Sequence, residues 1–200
     1  NPGVGTVVLD HSWVYSSISL ETAGGGDAMM VWFDERPEGG DSNEFVQDIY
    51  AQRIGLDSNN DIVTRWTDVE TGGVPICTAE GKQEGAKVTY YNEDWNVVVW
   101  EDSRHNDYLS SVGAPSTVDI YAQFIDVNGN KADAYYENGN PLVSNLCYDP
   151  SSCAPSLPLS DQTNPRVKAS DGGAFVIWID KRNYNDDIYM QIITPENSGV

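Results

Sequence analysis

The arginines that end three similar segments are the first candidates for chemistry in this chain. Each segment reads Trp-x-Asp-x-Arg after an apolar run, at positions 31–36, 99–104 and 177–182. The guanidiniums of Arg36, Arg104 and Arg182 could together bind a carboxylate. Each arginine could instead pair with the aspartate of its own hairpin. We favour this structural alternative, because a binding site rarely needs identical residues in every repeat.

The motif aspartates Asp34, Asp102 and Asp180 are candidates for a hydrolytic site. Hydrolysis of a polysaccharide needs two carboxylates about 5–10 Å apart, or a nucleophile with a base. Acidic residues are so numerous that no pair stands out, and the sequence contains no nucleophile elbow, phosphate loop or haem motif. His105 lies in a long loop with no partner motif, so we expect it to be a solvated loop residue.

Two Asx-rich turns space oxygen-bearing side chains at alternate positions, as loops that bind Ca²⁺ do. The candidate ligands are Asp57, Asn59 and Asp61 in one turn, and Asp126, Asn128 and Asn130 in the other. Neither turn completes an EF-hand, because the glutamate at the twelfth position is missing. Plain β-turns explain the same residues and are the favoured alternative.

The three cysteines indicate an oxidising environment. Cys147 and Cys153 are separated by a short segment with proline and two serines, which predicts a small disulfide-closed loop. No second Cys or His pair supports a zinc site. Disulfides persist outside the cell, so we expect a secreted or cell-surface protein. Cys77 is left over, either buried or paired outside this chain.

A second motif follows each Trp-x-Asp-x-Arg segment and shows that the chain is built from repeats. It begins Asp-Ile-Tyr and occurs at 48–52, 119–123 and 187–191. The second copy contains four strand-like runs, at 86–91, 95–103, 118–126 and, more weakly, 131–136. The second run of each copy is apolar at consecutive positions, which predicts a strand buried on both faces. We find no convincing amphipathic helix.

These motifs resemble the TolB-like, WD-related propeller repeats of bacterial secreted and surface proteins. The resemblance implies an all-β fold of four-stranded antiparallel β-propeller blades. The predicted blades cover about 16–71, 86–144 and 165–195, the last of them incomplete, and residues 1–15 could supply a closing strand. Three blades cannot close a ring, so either two copies form a six-bladed ring or the chain continues into further blades. We favour the longer chain.

Charge limits the partners of the chain. Asp and Glu outnumber Lys and Arg by 31 to 11, which gives a formal net charge of −20. This charge repels nucleic acids and anionic membranes, and no apolar stretch is long enough to span a bilayer. Sugars, cations and basic protein surfaces are compatible partners.

The long insertions are expected at one end of the blades, here called the looped end. In an up-and-down blade the connections between the second and third strands lie there, at 37–47, 105–118 and 183–186. The connections from one blade to the next lie at the same end and include 75–85 and 145–164, whereas the tight turns lie at the opposite end. Loops on a rigid scaffold commonly carry function. We therefore predict a non-catalytic adhesion module that binds glycan or protein at the looped end. The alternatives are a secreted polysaccharide hydrolase and a structural spacer in a surface or filament assembly. The predicted ligand-binding residues are Arg36, Arg104, His105, Tyr108, Tyr148, Arg182 and Tyr184.

Overall fold

The computed structural model describes residues 17–35, 47–66, 72–143 and 160–197. Within these ranges the chain is all-β, with three antiparallel sheets and one short helix, α1 (Asn106–Ser111). The predicted fold class is therefore confirmed at the level of an all-β protein. No helix in the described ranges is long and apolar enough to cross a membrane.

Each sheet is a meander of consecutive strands. The first sheet contains β1 (Ser19–Thr22), β2 (Ala28–Asp34), β3 (Asp48–Leu56), β4 (Ile62–Thr64) and β5 (Val74–Cys77). The second contains β6 (Gln83–Tyr90), β7 (Trp95–Asp102), β8 (Asp119–Asp126) and β9 (Asn140–Val143). The third contains β10 (Gln162–Ser170), β11 (Gly173–Asp180) and β12 (Asp187–Ile193). Neighbouring strands in the chain are neighbours in the sheet, except that β5 returns to pair with β3 beside β4.

The register is the same at the centre of all three sheets. The motif tryptophan lies opposite the tyrosine of Asp-Ile-Tyr, in the pairs Trp32–Tyr50, Trp100–Tyr121 and Trp178–Tyr189. Two residues further on, the aspartates of the two motifs lie opposite each other in every sheet. The sequence repeat is therefore a structural repeat, since the same residue types meet in the same register.

The hydrophobic core lies between the sheets, and β7 contributes to both of its halves. Val98 and Trp100 pack in a buried cluster with side chains of the first sheet, and Val97 and Val99 pack in another with the third sheet. All four side chains are fully buried. The predicted burial of this strand on both faces is confirmed, and its cause is the stacking of the second sheet between its neighbours.

The last strand of the second sheet lies elsewhere than predicted. Residues 131–136 form turns after an isolated bridge at Lys131, and the strand that pairs with β8 is β9. The Gln123 side-chain amide donates to the Tyr136 carbonyl at 2.9 Å, and Asn140 Oδ1 accepts from the Tyr136 amide at 2.8 Å. These bonds give the Tyr136 backbone hydrogen-bond partners outside the sheet. The chain therefore leaves the sheet after β8 and pairs with it again at β9.

Two further expectations need correction. Pro75 lies in β5 of the first sheet, so the connection to the second sheet is the short segment 78–82 and not the longer one expected from Pro75 onward. A helix, α1, occupies part of the predicted loop 105–118. The Leu109 side chain of α1 is fully buried, so packing of this side chain holds the insertion in place. The predicted closing strand in 1–15 lies outside the described residues.

Candidate functional site

The motif residues of the second sheet form one buried cluster at its looped end. Trp100 Nε1 donates to Asp102 Oδ2 at 2.8 Å, and Arg104 Nε donates to Asp102 Oδ1 at 2.9 Å. Arg104 Nη2 lies 2.5 Å from Asp102 Oδ2, which completes a bidentate ion pair. The Asp102 side chain is fully buried, so a tryptophan and an arginine share its two oxygens.

The guanidinium of Arg104 has further partners in its own chain. Nη2 donates to the Asn138 carbonyl at 2.8 Å and lies 3.3 Å from the Cys77 sulfur, and the group stacks 3.9 Å from the Tyr121 ring centroid. Burial alone would lower the Arg104 pKa. The hydrogen bond and the negative charge of Asp102 raise it by more, so the Arg104 pKa lies above its ordinary value. With its side chain only 10% exposed, Arg104 acts as a structural clamp.

The third sheet repeats this cluster in a more open form. Trp178 Nε1 donates to Asp180 Oδ2 at 3.3 Å, and Arg182 Nε donates to the same oxygen at 2.9 Å. The guanidinium lies 4.3 Å from the Tyr189 ring centroid. Burial raises the Asp180 pKa, but the hydrogen bonds from Arg182 and Trp178 lower it more, so the net shift is downward. The Arg182 side chain is 37% exposed and keeps a solvent-facing edge.

The first sheet shares the tryptophan–aspartate contact, with Trp32 Nε1 donating to Asp34 Oδ2 at 3.3 Å. The predicted site residues Arg36 and Tyr148 lie outside the described residues, as does the predicted disulfide of Cys147 and Cys153. Cys77 is buried and not disulfide-bonded, in line with the first of its two predicted alternatives.

His105 is not the solvated residue that we expected. Its side chain is buried, and Nδ1 lies 3.4 Å from Asp119 Oδ2 across the hairpin. His105 immediately precedes α1, and its carbonyl accepts a hydrogen bond from the Leu109 amide at 2.9 Å. The helix places the histidine over the sheet end, which a loop without structure would not do. Its ring is therefore not exposed for ligand contact.

Tyr184 is the predicted ligand-binding residue that the structure exposes most. Its side chain is 91% exposed at the tip of the loop between β11 and β12, with a left-handed backbone (φ +64°). The Tyr184 amide donates to the Lys181 carbonyl at 2.9 Å, and the neighbouring Asn183 side chain donates to Asp187 at 3.2 Å and to the Tyr189 hydroxyl at 3.0 Å. The loop therefore holds its backbone in place while the ring projects outward. Tyr108, in α1, is half-buried.

The two predicted calcium loops share one geometry. Asp57 Oδ1 accepts from the amides of Asn59 and Asp61 at 2.8 and 2.9 Å. In the second loop, Asp126 Oδ1 accepts from the amides of Asn128 and Asn130, both at 2.8 Å. These are the side-chain contacts of tight Asx turns. No group of three His, Cys, Asp or Glu residues with metal-binding geometry occurs in the described part of the chain. The calcium sites stay a prediction.

A groove of about 760 Å³ lies at the opposite end from the loops, where the sequence predicts only tight turns. Its lining includes Trp95, Asp126, Asn130, Lys131, Asp133 and Glu196. Several of these groups are engaged locally, since Asp126 closes its turn and the Lys131 ammonium binds Glu137. The groove forms between the turns of adjacent sheets, so a pattern within one repeat could not predict it.

No protein-family model and no curated protein sequence matches the chain. Among solved structures, the chain is similar to a Bacteroides thetaiotaomicron VPI-5482 protein described as a "putative glycosidase", with 7% identity and a TM-score of 0.43. The match covers 93% of this chain and 52% of that one, so the chain spans about half the length of that structure. A likeness this distant carries no inference about fold or function.

Two recurring glycines complete the motif clusters, and sequence reasoning gave them no role. A Cβ at Gly139 would lie 2.3 Å from Trp100 Cη2, and a Cβ at Gly73 would lie 2.4 Å from Trp32 Cη2. Each glycine therefore lets the last strand pass directly against the tryptophan. The signal was present in the sequence, because both glycines stand two residues before a proline in the repeat.

Proposed function

We propose that this chain is a set of β-propeller blades that acts as a non-catalytic extracellular binding module, and that its looped end binds neutral glycan. The exposed Tyr184 side chain is the single observation that carries the choice of ligand. A protein ligand at the same end is the second candidate, because tyrosine is also enriched at protein interfaces.

The stacking of the sheets supports the propeller. Buried clusters lie on both faces of the second sheet, between it and each neighbour. Blades of a propeller bury their apolar faces in this way, each against the next around an axis. The repeated motifs fit the same interpretation, since each copy places its tryptophan and aspartate at the same end of its sheet.

The motif clusters support a non-catalytic role. Asp102 and Asp180 are two of the three candidate carboxylates of the hydrolase alternative, and both are fully buried, as is the third, Asp34. Asp102 and Asp180 each accept hydrogen bonds from a tryptophan indole and an arginine of their own sheet. A general acid or a nucleophile must reach the substrate. These carboxylates instead hold the hairpins together.

Tyr184 and its neighbours have the chemistry of a sugar site. An exposed tyrosine ring offers an apolar face with a polar tip, and amides supply both donors and acceptors for hydroxyl groups. Asn183 and Asn185 flank the ring, and both are exposed. The net charge of −20 disfavours polyanionic glycans, so neutral polysaccharides are the expected class.

Pull-down on insoluble neutral polysaccharides and a glycan array test the proposal. The unmodified chain should bind, Tyr184→Ala should lose most of the binding, and Tyr136→Ala should keep it. Tyr136 is a matched control because it is 51% exposed in the turns between β8 and β9. Equal binding by both variants would contradict a role for Tyr184. Release of reducing sugar by the unmodified chain would contradict the non-catalytic assignment.

A further inference from the structure

The outer face of the third sheet is apolar and exposed. We call it the trailing face: its side chains point away from the second sheet and form three cross-strand pairs, Phe175–Ile192, Ile177–Met190 and Ile179–Ile188. Ile188 is 78% exposed, Met190 61% and Ile192 45%. A cavity of about 290 Å³ opens on this face between Ile177, Ile179 and Ile188. A contiguous apolar patch of this kind marks an interaction surface.

The second sheet shows what covers such a face. Its apolar residues at the equivalent register positions are Val97, Val99, Ile120, Ala122 and Phe124, and Glu101 lies at the position of Ile179. The five apolar side chains are fully buried, in a cluster with Ala174, Val176, Trp178 and Ile193 of the third sheet. Glu101 accepts a hydrogen bond from the Asn164 amide of the third sheet at 2.7 Å. The same face of the repeat is thus covered by the next sheet where one is present. The occupant that fits the trailing face is another sheet of this repeat.

The first sheet presents the complementary surface, which we call the leading face. Ile18 and Leu20 lie on the side away from the second sheet and are 62% and 64% exposed. Their counterparts in the second sheet, Ala86 and Val88, are buried against the first sheet. One chain therefore carries both halves of an interface of the kind that it forms twice internally.

We propose that the trailing face binds the leading face of a second copy of this chain, and that two copies close into a ring through two such interfaces. The two faces differ, so the contact is head-to-tail, and such a contact must close to avoid growing into a filament. This inference rests on the proposed propeller arrangement but not on the proposed ligand.

The size of the face favours closure through both contacts at once. Three strands about 4.8 Å apart and seven residues at about 3.3 Å each give a flat area of about 330 Å². A standard stable interface buries about 800 Å² per partner, so one contact alone is small. Two contacts per chain approach that area. The negative charge of both copies opposes association, but about 0.15 M salt screens it beyond about 8 Å.

Sedimentation velocity at tens of micromolar chain and about 0.15 M salt tests this proposal. The unmodified chain should sediment as a species of twice the 22.0 kDa chain mass. Ile188→Asp on the trailing face and Leu20→Asp on the leading face should each raise the dimer Kd about a hundredfold, because either places an unpaired carboxylate in an apolar contact. Val112→Asp is the control, since Val112 is 53% exposed after α1, away from both faces.

Three outcomes would overturn the proposal. A monomeric unmodified chain shows that a second copy does not cover the two faces, which is the result expected if further blades of a longer chain cover them. A dimer that resists Leu20→Asp but not Ile188→Asp shows that two trailing faces meet each other. Species larger than a dimer show an open chain of contacts. All the altered residues are more than half exposed, so the variants should keep the circular dichroism spectrum of the unmodified chain.

Discussion

Replacing Gly139 with alanine should destabilise the protein far more than an ordinary glycine substitution. The added Cβ would lie 2.3 Å from Trp100 Cη2 and 2.8 Å from the Ala122 carbonyl oxygen. Neither neighbour can give way easily. Trp100 is fully buried and bonded to Asp102, and the Ala122 backbone belongs to the ladder between β8 and β9. Gly139 also has φ +78°, where alanine is strained.

Substitutions at two other glycines measure separately the effect of the steric overlap and the effect of the positive φ. Gly113 has φ +72° and no heavy atom within 4 Å of the position that an added Cβ would take, so Gly113→Ala should cost only the backbone strain of about 1–2 kcal/mol. Gly73 faces Trp32 as Gly139 faces Trp100, but without a positive φ, so Gly73→Ala should cost the overpacking of about 1–3 kcal/mol. Gly139→Ala combines both effects and should cost about 2–5 kcal/mol.

Urea unfolding followed by tryptophan fluorescence measures these differences, and thermal unfolding repeats them. For a chain of this size, each kcal/mol shifts the Tm by about 2–4 °C. If Gly139→Ala were no less stable than Gly113→Ala, the close approach of β9 to Trp100 would play no part in stability. The structural assignment of the motif cluster would then lose its main support.

Four further predictions concern the same cluster, a buried thiol, acid stability and calcium. Asp102→Asn should lower stability by about 3–5 kcal/mol in urea unfolding, because Arg104 stays buried without its carboxylate; Glu84→Gln, which breaks the exposed pair with Lys82, should change it by less than about 1 kcal/mol. Burial raises the Cys77 pKa to about 12, so peptide mapping should find Cys77 alkylated at mildly alkaline pH only after unfolding. Contacts with arginines hold the pKa values of Asp27 and Asp180 below their usual range, so the folded state takes up fewer protons and stability should fall as the pH drops below about 4, measured by acid titration of fluorescence. Calcium binding at the Asp57 or Asp126 turn should raise the Tm in millimolar Ca²⁺ relative to EDTA, and an unchanged Tm would contradict it.

The sequence predicts the central strands well because two independent signals coincide there. The apolar run that ends at Trp100 has no alternation, which indicates burial on both faces, and the structure buries it between two sheets. The Asp-Ile-Tyr motif then fixes the next strand, since its tyrosine pairs with the tryptophan. Both signals are short-range and recur in three copies, so chance matches are easy to reject.

The last strand and the loop helix could not be predicted from the same signals. Residues 131–136 look strand-like by composition, but the Gln123 amide and the Asn140 side chain hold them out of the ladder. His105 looked solvated because its neighbours are polar, whereas α1 turns its ring toward Asp119. Both errors have one cause: side-chain contacts between residues 4 to 14 positions apart decided the local structure, and the composition of a short segment does not reveal such contacts.

Recurrence and variation within the chain have different physical meanings. Arg104 and Arg182 recur because each binds the aspartate two residues before it and so closes the equivalent hairpin of its own sheet. In each arginine this ion pair engages Nε and Nη2. Tyr184 has no counterpart in the second copy, where His105 and the start of α1 follow the arginine. It contributes little to packing, since its ring is almost fully exposed. Substitutions at the recurring positions should therefore change stability, and a substitution at Tyr184 should change binding without changing stability.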